Sequence, residues 1–195
     1  MTTPTLLKHY KDKVVPALKQ KLGYANIHQI PRLEKIVITS CMGKAPDRKV
    51  AVDDAVAEIS KITGQKPSMT FARKSVANFK LREGEVLGAR VTLRGTRMWE
   101  FLDRFIHITA PNIRDFRGIS PKSFDGRGNY ACGVNDQAIF PEVEIDQIKR
   151  HIGFDLIFVT TANTDAEGRA LLTELGMPFR DVKRPGEATA EPAAV

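Results

Sequence analysis

The sequence predicts an α+β domain in which helices back a sheet on one face and leave its other face open. Three observations carry that reading. Segments of strand character alternate with segments of helical period along the chain. Two of the strand segments alternate apolar side chains with polar or basic ones, the pattern of a sheet covered on one side only. The 195 residues, 42% of them apolar, suffice to bury one core, which suits a single domain with short appendages.

The elements follow in order. Residues 5–22 set Leu7, Tyr10, Val14, Leu18 and Leu22 at helical spacing, with Lys8, Lys11, Lys13, Lys19 and Lys21 on the opposite face. Pro16 within this run predicts a kink or a boundary, because proline lacks an N–H and its ring crowds the preceding turn. Gly23 is placed to end the helix. Residues 32–40 read as a β-branched strand, sending Ile36 and Ile38 to one face and Lys35, Val37 and Thr39 to the other. A helix over 47–63 would bury Val52, Val56, Ile59 and Ile62 and end at Gly64. Residues 86–94 form a second strand, with Leu87, Ala89, Val91 and Leu93 on the apolar face and Arg90, Thr92 and Arg94 on the other.

Residues 96–108 are the most apolar helical segment, holding Met98, Trp99, Phe101, Leu102, Phe105 and Ile106. Over 111–141 periodicity fails while Gly, Asn, Ser and Pro accumulate. A stretch that long is either functional or interrupted by short strands. Residues 154–161 read as a central strand. Thr164 with Glu167 then forms a capping box for a helix through Leu171, Leu172 and Leu175, which Gly176 and Pro178 stop. Residues 1–180 are thus expected to be one domain. Residues 181–195, rich in Pro, Gly, Ala and Glu without period, are expected to be a disordered tail.

Charge points to a partner. The chain carries a formal net charge of +7 and a pI near 9.5. Residues 64–97 hold Lys66, Arg73, Lys74, Lys80, Arg82, Arg90, Arg94 and Arg97 against only Glu83 and Glu85, so this segment accounts for nearly the whole excess. Clustered Lys and Arg gain affinity for a phosphate lattice by releasing its counterions. No basic amphipathic helix with a bulky apolar face and no apolar run of spanning length competes for a membrane. The first residues, Met-Thr-Thr-Pro, turn charged without an apolar signal region. Cys41 and Cys132 have no paired spacing, so neither a disulfide framework nor a cysteine zinc site is indicated, and a reducing cytoplasmic setting is expected.

Three segments carry candidate chemistry. In GQKPSMTFARKSVANFKLREG, Arg73, Lys74, Lys80 and Arg82 suit phosphates, and Phe71 or Phe79 suits stacking on an exposed base. A solvated hairpin is the plain alternative, but it would ordinarily carry acidic counterparts. Arg90, Thr92 and Arg94 at period two present a row of donors suited to an RNA backbone, and a solvated sheet face fits the same pattern equally. In RDFRGISPKSFDGRGNY, Arg114, Arg117, Lys122 and Arg127 accompany Phe116, Phe124 and Tyr130, three aromatics outside periodic structure that suit a protein or RNA contact. Catalysis finds no constellation. Gly43-Lys44 lacks the rest of a phosphate-binding loop, the four histidines show no ligand spacing, and Glu142, Glu144 and Asp146 read as a solvated acidic face rather than a divalent-ion site. No cofactor is expected.

Taken together, YKDKVVPALKQKLGY, PRLEKIVI, TGQKP, ARKSVANFKLREG, VTLRG, FLDRF, FRGISPKSFDGRGNY and IFPE resemble the family of large-subunit ribosomal proteins numbered five, bacterial type, in unbroken order over residues 10–180. The resemblance implies an antiparallel or mixed sheet with helices on one face and an open, concave RNA-binding face. It also implies a structural, non-catalytic role in the ribosome of the cytoplasm. Such proteins bind 5S ribosomal RNA and help attach it to the large ribosomal RNA in the central protuberance, beside other 5S-binding proteins. The resemblance assigns Thr39, Gln65, Arg90, Thr92 and Arg94 to 5S RNA. It assigns the loop with Arg73, Lys74, Asn78, Lys80 and Arg82 to transfer RNA in the peptidyl site. Arg114, Phe116, Arg117, Lys122 and Arg127 fall in the part that faces small-subunit protein thirteen across an intersubunit bridge. Where the family usually has Asn followed by Met-Gly, Thr39-Ser40-Cys41 stands here, and Thr39 lacks the amide's paired donor and acceptor. A free single-stranded RNA chaperone is the alternative reading.

Overall fold

A computed structural model describes residues 3–144 and 148–180 of the chain. Five strands, β1 (Leu33–Cys41), β2 (Ser68–Phe71), β3 (Val86–Leu93), β4 (Tyr130–Val134) and β5 (Phe154–Thr160), form one sheet in the order β2-β3-β1-β5-β4. Each neighbouring pair runs antiparallel. β1 holds the centre for a sequence reason. Its β-branched run pairs on both flanks, Ile36 facing Leu93 on one side and Phe158 on the other. The expected alternation holds along β1 and β3: Ile36, Ile38, Ala89, Val91 and Leu93 are buried, while Thr39, Arg90 and Thr92 are not.

Helices cover the buried face only. Helix α3 (Arg48–Thr63) packs on β3 and β2, and α4 (Gly95–Arg104) packs on β1. The core between the layers includes Ile59, Leu93, Phe101, Leu102, Phe105, Leu156 and Phe158, each almost fully buried. Each such side chain contributes about 1.5–3 kcal/mol relative to exposure. α5 (Asp165–Glu174) starts at the expected cap, with the Glu167 N–H donating to Thr164 Oγ1 at 3.4 Å. Its Glu167 carboxylate accepts from the Asn163 N–H at 2.9 Å.

The N-terminal helix resolves the Pro16 question by widening rather than breaking. α1 (Thr5–His9) runs into a π-helical turn at Tyr10–Val14, and α2 (Val15–Leu22) resumes with Pro16 in its first turn. Proline in a regular helix meets the carbonyl four residues back; the wider turn carries the chain past that clash. Gly23 and Gly64 cap their helices in the left-handed region, as expected. Tyr10 docks this rod on the domain, its ring 5.3 Å from Trp99 and its hydroxyl donating to Pro31 O at 3.2 Å.

The aperiodic stretch 111–141 is interrupted by a strand, β4, whose alternation Gly, Cys and Ala had masked. Before it, the chain is fastened to its own last described residues. The Ile119 N–H donates to Pro178 O at 2.8 Å and the Arg180 N–H to Ile119 O at 2.9 Å. Gly118, at φ +90°, lies so close to that segment that a Cβ would sit 2.7 Å from Arg180 N. Gly168 of α5 presses equally close to the loop, where its Cβ would meet Gly128 O at 2.4 Å. The expected disordered tail, residues 181–195, lies outside the described residues, as does Asp146 of the acidic triplet.

Candidate nucleic-acid interface

The uncovered sheet face has a definite row structure. Cross-strand pairing aligns Ser68, Arg90, Thr39, Asp155 and Gly133 in register across all five strands, and a second row joins Thr92, Val37, Ile157 and Ala131. Thr39 therefore sits between a guanidinium and a carboxylate, a polar crossroads the sequence alone left unspecified. Gln65, just beyond α3, reaches β3: its Nε2 donates to Thr92 O at 3.4 Å, while the Thr63 hydroxyl bonds both its N–H and its carbonyl. Thr39, Arg90 and Thr92, three of the residues assigned to 5S RNA, thus share one face, and Gln65 is bonded to the main chain of β3 beside them. Arg94 lies just beyond β3 and pairs with Glu34 at 3.4 Å, a surface contact that partly offsets its charge. Of the departing triplet, Ser40 points inward and donates to Gly153 O at 2.9 Å, which leaves Thr39 and the exposed Cys41 outside the core.

The basic segment between β2 and β3 is a projecting hairpin. Val76 and Leu81 exchange backbone hydrogen bonds at 3.0 and 3.2 Å, and a 3-10 turn over Ala77–Phe79 closes it. Arg73, Lys74, Asn78, Lys80 and Arg82 are all exposed along it. Its attachment to the body comes from a residue that no sequence pattern singles out, Arg48 at the start of α3. That guanidinium donates to Lys80 O at 3.1 Å, to Phe79 O at 3.4 Å and to Gly43 O at 3.1 Å, and pairs with Glu85 at 2.7 Å. The Arg82 N–H bonded to Glu85, together with Arg48, holds the Glu85 carboxyl below its usual range. Glu85 is therefore spent on structure, and the hairpin surface is more basic than its composition suggests.

The third segment is divided. Phe124 and Tyr130 do not face outward: their rings lie 4.8 Å apart, and Tyr130 meets Phe179 edge-on at 5.3 Å. Tyr130 is fully buried with its hydroxyl donating to Ser120 O at 2.7 Å. Phe116 is half-buried, lining a cavity of about 290 Å³ with Phe105, Ile113 and Tyr130. Phe124 and Tyr130, two of the three aromatics that suggested a partner, thus serve the domain's own packing, while Phe116 keeps part of its surface free. Arg114, Arg117, Lys122 and Arg127 remain at least partly exposed. The Asn129 side-chain amide, then the Arg127 N–H, hold the Asp125 carboxyl below its usual range and fix the turn that carries Arg127.

Among the described residues no group of three His, Cys, Asp or Glu side chains could hold a metal ion, and no helix is long and apolar enough to cross a membrane. Burial, then the nearby Asp155 carboxylate, pushes the Cys132 thiol up to about 12, far from a nucleophile's range.

Two family descriptions match the sequence in succession: "Ribosomal protein L5" over residues 26–82, and the C-terminus of the same ribosomal family over residues 86–179. Among curated proteins, the chain is 54% identical over 176 residues to a protein of Trichodesmium erythraeum named large ribosomal subunit protein uL5, covering 90% of this chain and 97% of that one. Proteins of the same name from Carboxydothermus hydrogenoformans and Clostridium botulinum are 53% and 55% identical, each match covering 90% of this chain and 98% of the relative.

Proposed function

The chain belongs to the ribosomal protein L5 family, and from that premise we propose how its surfaces divide the work of a structural, non-catalytic component of the large ribosomal subunit. The open sheet face binds 5S ribosomal RNA and helps join it to the large ribosomal RNA in the central protuberance, alongside other 5S-binding proteins. The hairpin loop over 72–82 touches transfer RNA in the peptidyl site. The loop bearing Arg114, Phe116, Arg117, Lys122 and Arg127 faces small-subunit protein thirteen.

The observation that carries the reading is the cross-strand row of Ser68, Arg90 and Thr39, with Thr92 on the same face that no helix covers and Gln65 bonded to the Thr92 main chain. Hydroxyls, an amide and a guanidinium in fixed register can bond phosphates and ribose hydroxyls together, and a rigid sheet keeps the cost of ordering them low. Arg90→Ala and Arg94→Ala are each expected to weaken 5S RNA binding and to flatten its salt dependence by roughly one unit of slope. Affinity and slope unchanged in both variants would remove the sheet face from the RNA contact. Co-sedimentation with the large subunit, lost only at high salt, separates this reading from a free RNA chaperone.

A further inference from the structure

The turn that closes the hairpin is built against its residues' own preferences. Phe79 is the most exposed large apolar side chain among the described residues, at 74%. A ring left in water forgoes the free energy its burial would return. Lys80, next in the chain, adopts φ 50°, the left-handed region that a residue with a Cβ ordinarily avoids. Yet this turn is held firmly. Arg48, whose side chain is only 16% exposed, donates to the carbonyls of both Phe79 and Lys80 while anchored to Gly43 O and Glu85. Those two bonds tether the main chain of the turn in the geometry that leaves the ring exposed. The protein fixes an aromatic face in solvent.

The surroundings select the occupant. Arg73, Lys74, Lys80 and Arg82 stand exposed along the same hairpin, against Glu83 as the acid not engaged by Arg48. A protein pocket for Phe79 would have to pair an apolar hole with an acidic rim. An unpaired nucleotide brings both partners at once, a flat π-face for the ring and a phosphate for the cations. Phe71, the other aromatic of the segment, lies on β2 and is less exposed, at 56%.

We propose that Phe79 is a stacking platform for one unpaired base of the RNA the hairpin meets, and that Arg48 is the positioning residue that fixes its presentation. This rests on the reading of the hairpin as a transfer RNA contact. The test uses ribosomes carrying Phe79→Ala, Phe79→Leu or Phe79→Trp in this chain, with transfer RNA bound in the peptidyl site and its release rate followed across salt concentrations. Phe79→Ala and Phe79→Leu should each speed release by about 10-fold, the loss expected for one base stack. Their salt dependence should match the parent, since neither changes charge. Phe79→Trp should keep the parent rate. Parent-like retention by Phe79→Leu would overturn stacking, because apolar bulk alone would then account for the contact, as in a protein pocket. Arg73→Ala with Lys74→Ala separates the two levels. Faster release in that pair with no response to any Phe79 variant overturns stacking and leaves the hairpin reading intact. No response in either set overturns both.

Discussion

Cys41 and Cys132 illustrate how far two like residues are driven apart by place. Cys41 ends β1 in the open, whereas Cys132 lies in β4, where burial and Asp155 raise its thiol to about 12. At pH 8 the half-buried thiol is therefore largely neutral and slow to react, since the thiolate is the attacking species. A thiol reagent at that pH should modify one cysteine rapidly, identified by peptide mass as Cys41, and Cys132 far more slowly until denaturant is added. Equal rates at both would show that β4 does not shield its sulfur. The same divergence governs Thr39 and Ser40, adjacent hydroxyls of which one lies on the open sheet face and the other satisfies a core carbonyl. Period-two alternation makes that distinction legible in sequence. The identity of Ser40's partner, Gly153, is not, because it lies more than a hundred residues away.

At the scale of elements, the hairpin and α3 behave as one part because Arg48 joins them. Arg48→Met keeps much of the side chain's packing and removes its charge and hydrogen bonds. Amide exchange at Val76 and Leu81 should then accelerate by roughly 10- to 100-fold, as expected for loss of charge-assisted bonds of about 1.5–3 kcal/mol. The β3 amides should keep their protection, and 5S RNA binding should persist. Uniform acceleration across the sheet would instead mean that Arg48 supports the core. Helices and strands were legible here wherever an apolar period ran long enough, as in α3, β1, β3 and the Thr164–Glu167 cap. β4 was hidden by its small residues, and the Arg48 clamp by a separation of 31 and 32 residues that no local period encodes.

For the whole molecule, the net positive charge resolves into separate surfaces on a half-covered sheet, and the parts that read as partner contacts differ in what holds them. The loop at 111–129 depends on the last described residues through Phe179 and Arg180. Phe179→Ala should therefore lower stability by about 2 kcal/mol, less than full burial would cost because the ring is only partly covered. It should also loosen amide exchange at Ile119 and Ala131, which a purely local role for Phe179 would not do. Sequence could not supply that coupling: Phe124 and Tyr130 looked like surface aromatics because their partner stands beyond an intervening strand and helix. Denaturant unfolding and exchange on one variant measure both effects.

That fastening also sets an order of events during synthesis. The residues that complete the loop leave the peptide exit last among those described, after every strand of the sheet has been made. A nascent chain can assemble its sheet, row and hairpin while the loop still hangs open. Only when Phe179 and Arg180 arrive does the loop take its final shape. A chain cut short before them would therefore carry a finished sheet and an unfinished loop, so the loop's surface is the last of the described parts to mature.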